Sequence, residues 1–178
     1  VKEIWPEVKI IEACHTTNLE NMVDIWVPHL ARFKKDYKFY KARKNAGDDV
    51  WFYTCLSPQG EYANRFVELP LLKTRILHWL NYRYGATGYL HWGFNQWGNG
   101  CNPYGDISSI QSEFGTVLPG GDSWIVYPDN GKLYSSIRME AMRDGVADYT
   151  LLQMLAKKDP KQAKEYCRRV VYNWTTYD

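Results

Sequence analysis

The sequence has no long apolar run, no clustered cysteine motif and no strong charge of one sign, and each of these lacks removes a class of function. Lys, Arg or Gly interrupts every apolar stretch well short of the ~20 residues a membrane span needs. Cys14, Cys55, Cys101 and Cys167 are scattered, with no Cys-x-x-Cys and no histidine at ligand spacing, so no metal, redox motif or cofactor is expected. They read as small apolar residues, with one disulfide left open. A formal net charge of +2 is too small for a nucleic-acid footprint. Arg32, Lys34, Lys35, Lys38, Lys41, Arg43 and Lys44 do cluster, but Phe33, Tyr37 and Tyr40 run through them at helical spacing. One face can then pack while the cations ring the solvated side. Neither nucleic acid nor a membrane is an expected partner. Ser-His-Asp spacing, a nucleophile elbow and a phosphate-cradling glycine loop are also missing. The chain opens at Val1 with no Met and no leader-like apolar segment, which reads as a mature fragment whose native address is hidden.

What is present begins with 178 residues, 45% hydrophobic and 24% charged, enough for one domain over 1–178 with a single sizeable core. Aromatics reach 16%, with 8 Trp and 14 Tyr. Their flat apolar faces and polar edges suit sugars, although for any single Trp core packing is the plainer reading.

Four runs rich in β-branched and aromatic residues read as buried strands: Val8 to Cys14, Val23 to Pro28, Val50 to Cys55 and Thr87 to Phe94. Amphipathic helices are predicted at Leu30 to Lys44 and at Pro70 to Tyr84, the second stopping before Gly85. Gly98 to Lys132 is rich in Gly, Asn, Pro and Asp and is too long for an ordinary connection, which marks a functional loop folded over the strand ends. Ser136 caps a helix to about Lys157, and Pro160 starts a last one to about Trp174. Strands alternating with helices give the α/β class with a parallel sheet. A full eight-stranded barrel takes ~250 residues, so four strands here fit half of a (β/α)8 barrel of TIM type, or else a small open sheet, with the half-barrel expected.

In parallel α/β folds chemistry gathers where the strands end. The first strand ends at Cys14, His15 and Thr16, the second at Trp26 to His29, the third at Tyr53 to Cys55, and the fourth at Trp92 to Trp97. Indole, phenol, imidazole and amide suit a polyhydroxylated ligand, because rings stack on a pyranose while amides bond its hydroxyls. The expected sugar contacts are Trp26, Tyr53, Trp92, Asn95 and Trp97, with His15 and Asp122. Trp26 and Trp92 suit barrel filling equally well. Asn95 and Trp97 lie where the strand pattern has already broken, so packing explains them less well. His15 reads as a hydrogen-bonded loop histidine, having no carboxylate to pair with.

Carboxylates are what this surface lacks. Glycosidic cleavage needs a carboxyl general acid and a second participating group, yet no strand ends in Asp or Glu. Asp48 and Asp49 precede the third strand and belong to the opposite end. Of the loop acids Asp106, Glu113, Asp122 and Asp129, most sit beside Gly or Asn and read as turn formers.

The run Gly88-Tyr89-Leu90-His91-Trp92-Gly93, with Asn95 and Trp97, resembles the Gly-Phe-Leu-x-Trp signature of the C-terminal region of glycoside hydrolase family 123-like proteins. Val23-Asp24-Ile25-Trp26-Val27-Pro28, Trp51-Phe52-Tyr53-Thr54-Cys55 with Pro58, Tyr127-Pro128, Ser136 to Glu140 and Arg143-Asp144-Gly145 with Asp148-Tyr149 fit in order, so the resemblance spans nearly the whole chain. It implies a β-N-acetylgalactosaminidase-like barrel in which the substrate's 2-acetamido group participates, a Glu acting as acid/base and a neighbouring Asp orienting that group. This sequence contains no Asp-Glu dipeptide. The resemblance therefore implies a sugar-facing wall with no catalytic residue of its own, completed by the upstream half of the same barrel. The open strand edges of such a half invite self-association. A carbohydrate-binding or structural module is the alternative. Arg138, Asp148 and Tyr149 read as framework.

Overall fold

The computed structural model describes residues 1–98, 100–106, 108, 110–111 and 116–178. Four parallel strands form one sheet in the order β1-β2-β3-β4: β1 (Ile11–Glu12), β2 (Ile25–Trp26), β3 (Asp49–Tyr53) and β4 (Gly88–Leu90). All four predicted runs are present, though their regular ladders are shorter. Flanking bonds such as Asp24 N–H to the Ile10 carbonyl and Tyr53 N–H to the Pro28 carbonyl extend the pairing irregularly.

The period-2 pattern of β3 sets the two faces. Val50 and Phe52 are buried, while Asp49, Trp51 and Tyr53 are only partly covered. On the buried side lie α1 (Leu30–Lys35), α2 (Tyr37–Asn45) and α3 (Leu71–Tyr84). Phe33 stacks on Phe52, and the Trp26 indole meets Phe39 and Tyr40 edge-on. On the other face the Trp51 indole lies across Gly88, where a Cβ would sit 2.4 Å from it, so β4 can approach only without a side chain.

The helix expected over Leu30 to Lys44 is broken at Asp36, whose backbone (φ −104°, ψ 27°) leaves the helical region. α3 matches expectation: Pro70 precedes it and Gly85 ends it at φ 78°, a left-handed value glycine adopts freely. α4 (Ile137–Lys158) begins with the Ser136 hydroxyl accepting from Met139 N–H. α5 (Pro160–Val170) is capped by Asp159 and stops short of Trp174, whose ring instead stacks on Tyr84 at 3.4 Å.

α3 and α4 are the most extensively packed pair. Gly145 lies against the Arg75 carbonyl, so its role is close helix-to-helix approach. Arg75 holds Asp148 through Nε at 2.6 Å and Nη2 at 2.9 Å. That carboxylate therefore ties α4 to α3.

Among the described residues the long loop carries no helix. It carries two short antiparallel pairs, β5 (Ile110–Gln111) with β6 (Thr116–Val117), and β7 (Tyr127–Asp129) with β8 (Lys132–Tyr134). The latter turns through Asn130 and Gly131, both at positive φ, the two-residue turn that Asn-Gly favours. All four thiols are free. No helix among the described residues is long and apolar enough to cross a membrane.

Candidate functional site

The C-terminal ends of the strands carry two linked groups of side chains. In the first, Tyr53 Oη lies 3.1 Å from His15 Nε2, and Ser57 Oγ lies 3.0 Å from His29 Nε2. The His29 and Tyr53 rings meet edge-on at 5.4 Å, which joins the two pairs. Burial pushes His29 below the ordinary imidazole value and pushes the Tyr53 phenol up. Both therefore stay uncharged at neutral pH and serve as hydrogen-bonding groups. His15 is the hydrogen-bonded loop histidine that was expected.

The second group hangs on Arg65, which exposes no surface. Its Nε donates to His91 Nε2 at 2.7 Å. Nη1 donates to the Thr54 carbonyl and hydroxyl at 2.9 and 3.0 Å. Nη2 donates to the Asp122 carbonyl and to Asp122 Oδ1, both at 2.9 Å. Trp92, 37% exposed, adds its indole N–H to the same Oδ1 at 3.3 Å. A guanidinium only donates, so His91 accepts through Nε2 and carries its proton on Nδ1. Burial, with Arg65 and Arg138 close by, keeps that ring neutral by pushing it far down. Asp122 is fully buried, and burial raises its carboxyl above the usual range against the opposing pull of Arg65 and Trp92. Two polar atoms at this end are buried with no partner among the described residues: Asp122 Oδ2, an acceptor, and His91 Nδ1, a donor.

Tyr53 and Leu90 are register partners, so the two groups occupy adjacent strand ends. The structure thus brings together His15, Tyr53, Trp92 and Asp122 of the expected contacts. Asn95 stands exposed beyond them, in an antiparallel bridge with Trp124. Trp97 is tied elsewhere: its indole N–H donates to the Val126 carbonyl at 3.1 Å and its ring packs on the core. Trp26 is no surface residue at all. It is fully buried under α2, and its indole N–H reaches Asp48 Oδ2 at 2.8 Å. Period-2 alternation sends it to the helix side, so it neither meets a ligand nor fills the barrel interior; it packs between the sheet and α2.

Among the loop acids, Asp106 accepts from Asn102 N–H and Asp129 closes the β7–β8 turn, so both are turn residues. Glu113 lies outside the described residues, as does Asn99. Asp122 departs from the turn reading because the fold carries it under the strand ends onto Arg65. Nothing in the sequence singles out Arg65 or Ser57, since a charged residue after Tyr62-Ala63-Asn64 reads as loop surface. Arg138, the expected framework residue, is buried and donates to the carbonyls of Arg65, Gly121 and Trp124, so it braces this same cluster.

One buried carboxyl, neutral imidazoles and a half-exposed indole beside them suit carbohydrate chemistry. Residues 1–155 match the family model described as glycoside hydrolase 123, catalytic domain. The chain belongs to that family. No curated protein matches it. Glycoside hydrolase 123 domains act on glycosidic bonds, and the matched span holds every residue of the strand-end cluster. It stops inside α4, so α5 lies beyond it.

Proposed function

We propose that the strand-end face is the sugar-binding wall of a β-N-acetylhexosaminidase, of the β-N-acetylgalactosaminidase kind, and that the sheet is the C-terminal half of a (β/α)8 barrel whose upstream half supplies the acid pair. The observation carrying this reading is the partnerless Asp122 Oδ2 and His91 Nδ1, both suspended from Arg65 beside the half-exposed Trp92. An acceptor and a donor held rigid in low dielectric fit a ligand that offers both, as hydroxyl and acetamido groups do. Trp92 provides the flat apolar face. Support for the half-barrel comes from the four-stranded parallel sheet, whose outer strands β1 and β4 each pair on one side only among the described residues. β1 does end at Glu12, but that residue is exposed and the strand-end cluster holds a single carboxyl, Asp122, which favours a division of labour in which this chain binds and the other half cuts.

The test is turnover of a chromogenic aryl N-acetyl-β-galactosaminide by the chain alone and by the chain joined to its upstream half. No turnover alone and turnover when joined is the expected result, because a positioned acid/base is worth ~10²–10⁴ in rate. Asp122→Asn and Trp92→Ala in the joined protein should lower kcat/KM by roughly tenfold to a hundredfold. Turnover by the isolated chain that disappears in Asp122→Asn would place the reacting acid in this loop and end the proposed division.

A further inference from the structure

A cavity of about 410 Å³ opens among α2, α3 and α5, away from the strand-end cluster. Lys41 of α2, Arg83 of α3, and Lys164 and Arg168 of α5 line it, together with Tyr37 and Tyr82. Asn45 and Tyr84 end the helices that lead directly into the starts of β3 and β4, so these residues face away from the strand-end site.

Four cations share this cavity, and no carboxylate is among the residues that line it. None of the four forms a salt bridge among the described residues, whereas Arg32, Arg43, Arg75 and Arg143 each do. Two neighbouring groups already have other roles: Lys44 Nζ donates to the Gly85 carbonyl, and the Arg83 guanidinium lies over the Tyr84 ring, 5.5 Å from its centroid. Arg83 Nε nevertheless remains buried with no acceptor among the described residues. Solvated lysines at helix ends account for net charge there, but not for a guanidinium N–H withdrawn from water and left without a partner.

We propose that this cavity binds a tetrahedral oxyanion group, a sulfate or phosphate ester, through Arg83, Lys41, Lys164 and Arg168. Arg83 supplies a planar guanidinium in the cavity wall, and the three flexible cations add charge around it. With one water occupying about 30 Å³ of liquid, the cavity admits such a group together with part of its hydration. Lys164 and Arg168 belong to α5, beyond the residues matched to the family, so this site is separate from the sugar-binding wall and does not depend on it.

Isothermal titration of the whole chain at fixed ionic strength, with sodium sulfate, inorganic phosphate, glucose 6-sulfate and glucose, tests the proposal. Saturable binding of sulfate and phosphate is expected, and none of glucose. Tighter binding of glucose 6-sulfate than of sulfate identifies an ester carried on a sugar as the source, and equal binding identifies the free ion. Lys164→Gln and Arg83→Gln should each weaken binding by about tenfold, the loss of one charge-assisted hydrogen bond. Lys158→Gln, which removes the same charge outside the cavity, should leave it unchanged. Lys164 is exposed, so its variant keeps the test valid if Arg83→Gln fails to fold. Absence of saturable oxyanion binding, or an equal loss in Lys158→Gln, would overturn the site. So would binding of a short oligonucleotide, sensitive to Lys164→Gln, where the small anions fail to bind.

Discussion

Arg65 reaches Asp122 twice through a single nitrogen: Nη2 lies 2.9 Å from both the backbone carbonyl and Oδ1, and neither residue exposes any side-chain surface. Removing one member of a buried pair strands the other, at roughly 3–5 kcal/mol. Arg65→Met should therefore lower unfolding stability in urea by that order. The double variant Arg65→Met with Asp122→Leu should recover much of the loss, because it leaves no buried charge. A single variant within about 0.5 kcal/mol of the parent, the scatter of ordinary surface changes, would refute the account.

Gly145→Ala sets two effects of opposite sign against each other. Helix propensity alone favours Ala by ~1 kcal/mol. The added Cβ, however, would sit 2.3 Å from the Arg75 carbonyl of α3, and backbone cannot turn aside as a flexible side chain can. Overpacking of this kind costs typically ~1–3 kcal/mol, so net destabilisation and a lower Tm are expected. A raised Tm would mean the helices part without penalty.

Acid should weaken the fold through its buried histidines. Burial pushes His78 from 6.5 down to about 4, and His29 and His91 move in the same direction. The unfolded chain takes up protons as pH falls below 6.5, and the folded chain resists until about 4. Stability is thus complete above 6.5 and is lost as pH falls through this window, His78 alone accounting for about 3 kcal/mol. Urea midpoints measured across the window should fall steeply in the parent and less steeply in His78→Leu. Parallel slopes would remove His78 from the explanation.

Ser136 joins two segments. Its hydroxyl accepts from Met139 N–H at 3.1 Å and donates to the Ile125 carbonyl at 2.5 Å. Ser136→Ala should cost about 1–2 kcal/mol, somewhat more than a simple cap, because a buried carbonyl also loses its donor. Ser136→Asp should keep the cap but not the donated bond, giving an intermediate stability by thermal unfolding.

The parallel sheet and its helices were legible because they rest on local signals. β-branched and aromatic runs mark β1 to β4, Pro70 and Gly85 bracket α3, and Ser136 opens α4. The break at Asp36 was not, since Lys35-Asp36-Tyr37 interrupts no periodic pattern, and on either side of it Phe33 packs on Phe52 and Tyr40 on Trp26, contacts set by the tertiary fold. At the strand ends His15, Tyr53 and Trp92 could be read from position alone. Asp122 could be named but not explained, because its burial depends on Arg65, 57 positions away. Trp26 shows the converse. A residue at a strand end faces ligand or helix according to a one-residue parity, and two ladder residues are too few to reveal it.

Gly93 packs on the Ser123 backbone, Gln96 N–H bonds the Ser123 carbonyl at 2.9 Å, and Arg138 grips the carbonyls of Gly121 and Trp124. The stretch between residues 97 and 120 thus leaves and re-enters the fold through a base stitched shut by the frame itself. Ring closure there is settled by the stitches, and each doubling of the enclosed length costs only about 0.6 kcal/mol in chain entropy. The seam, and not the length of chain it encloses, then sets where Asp122 lies.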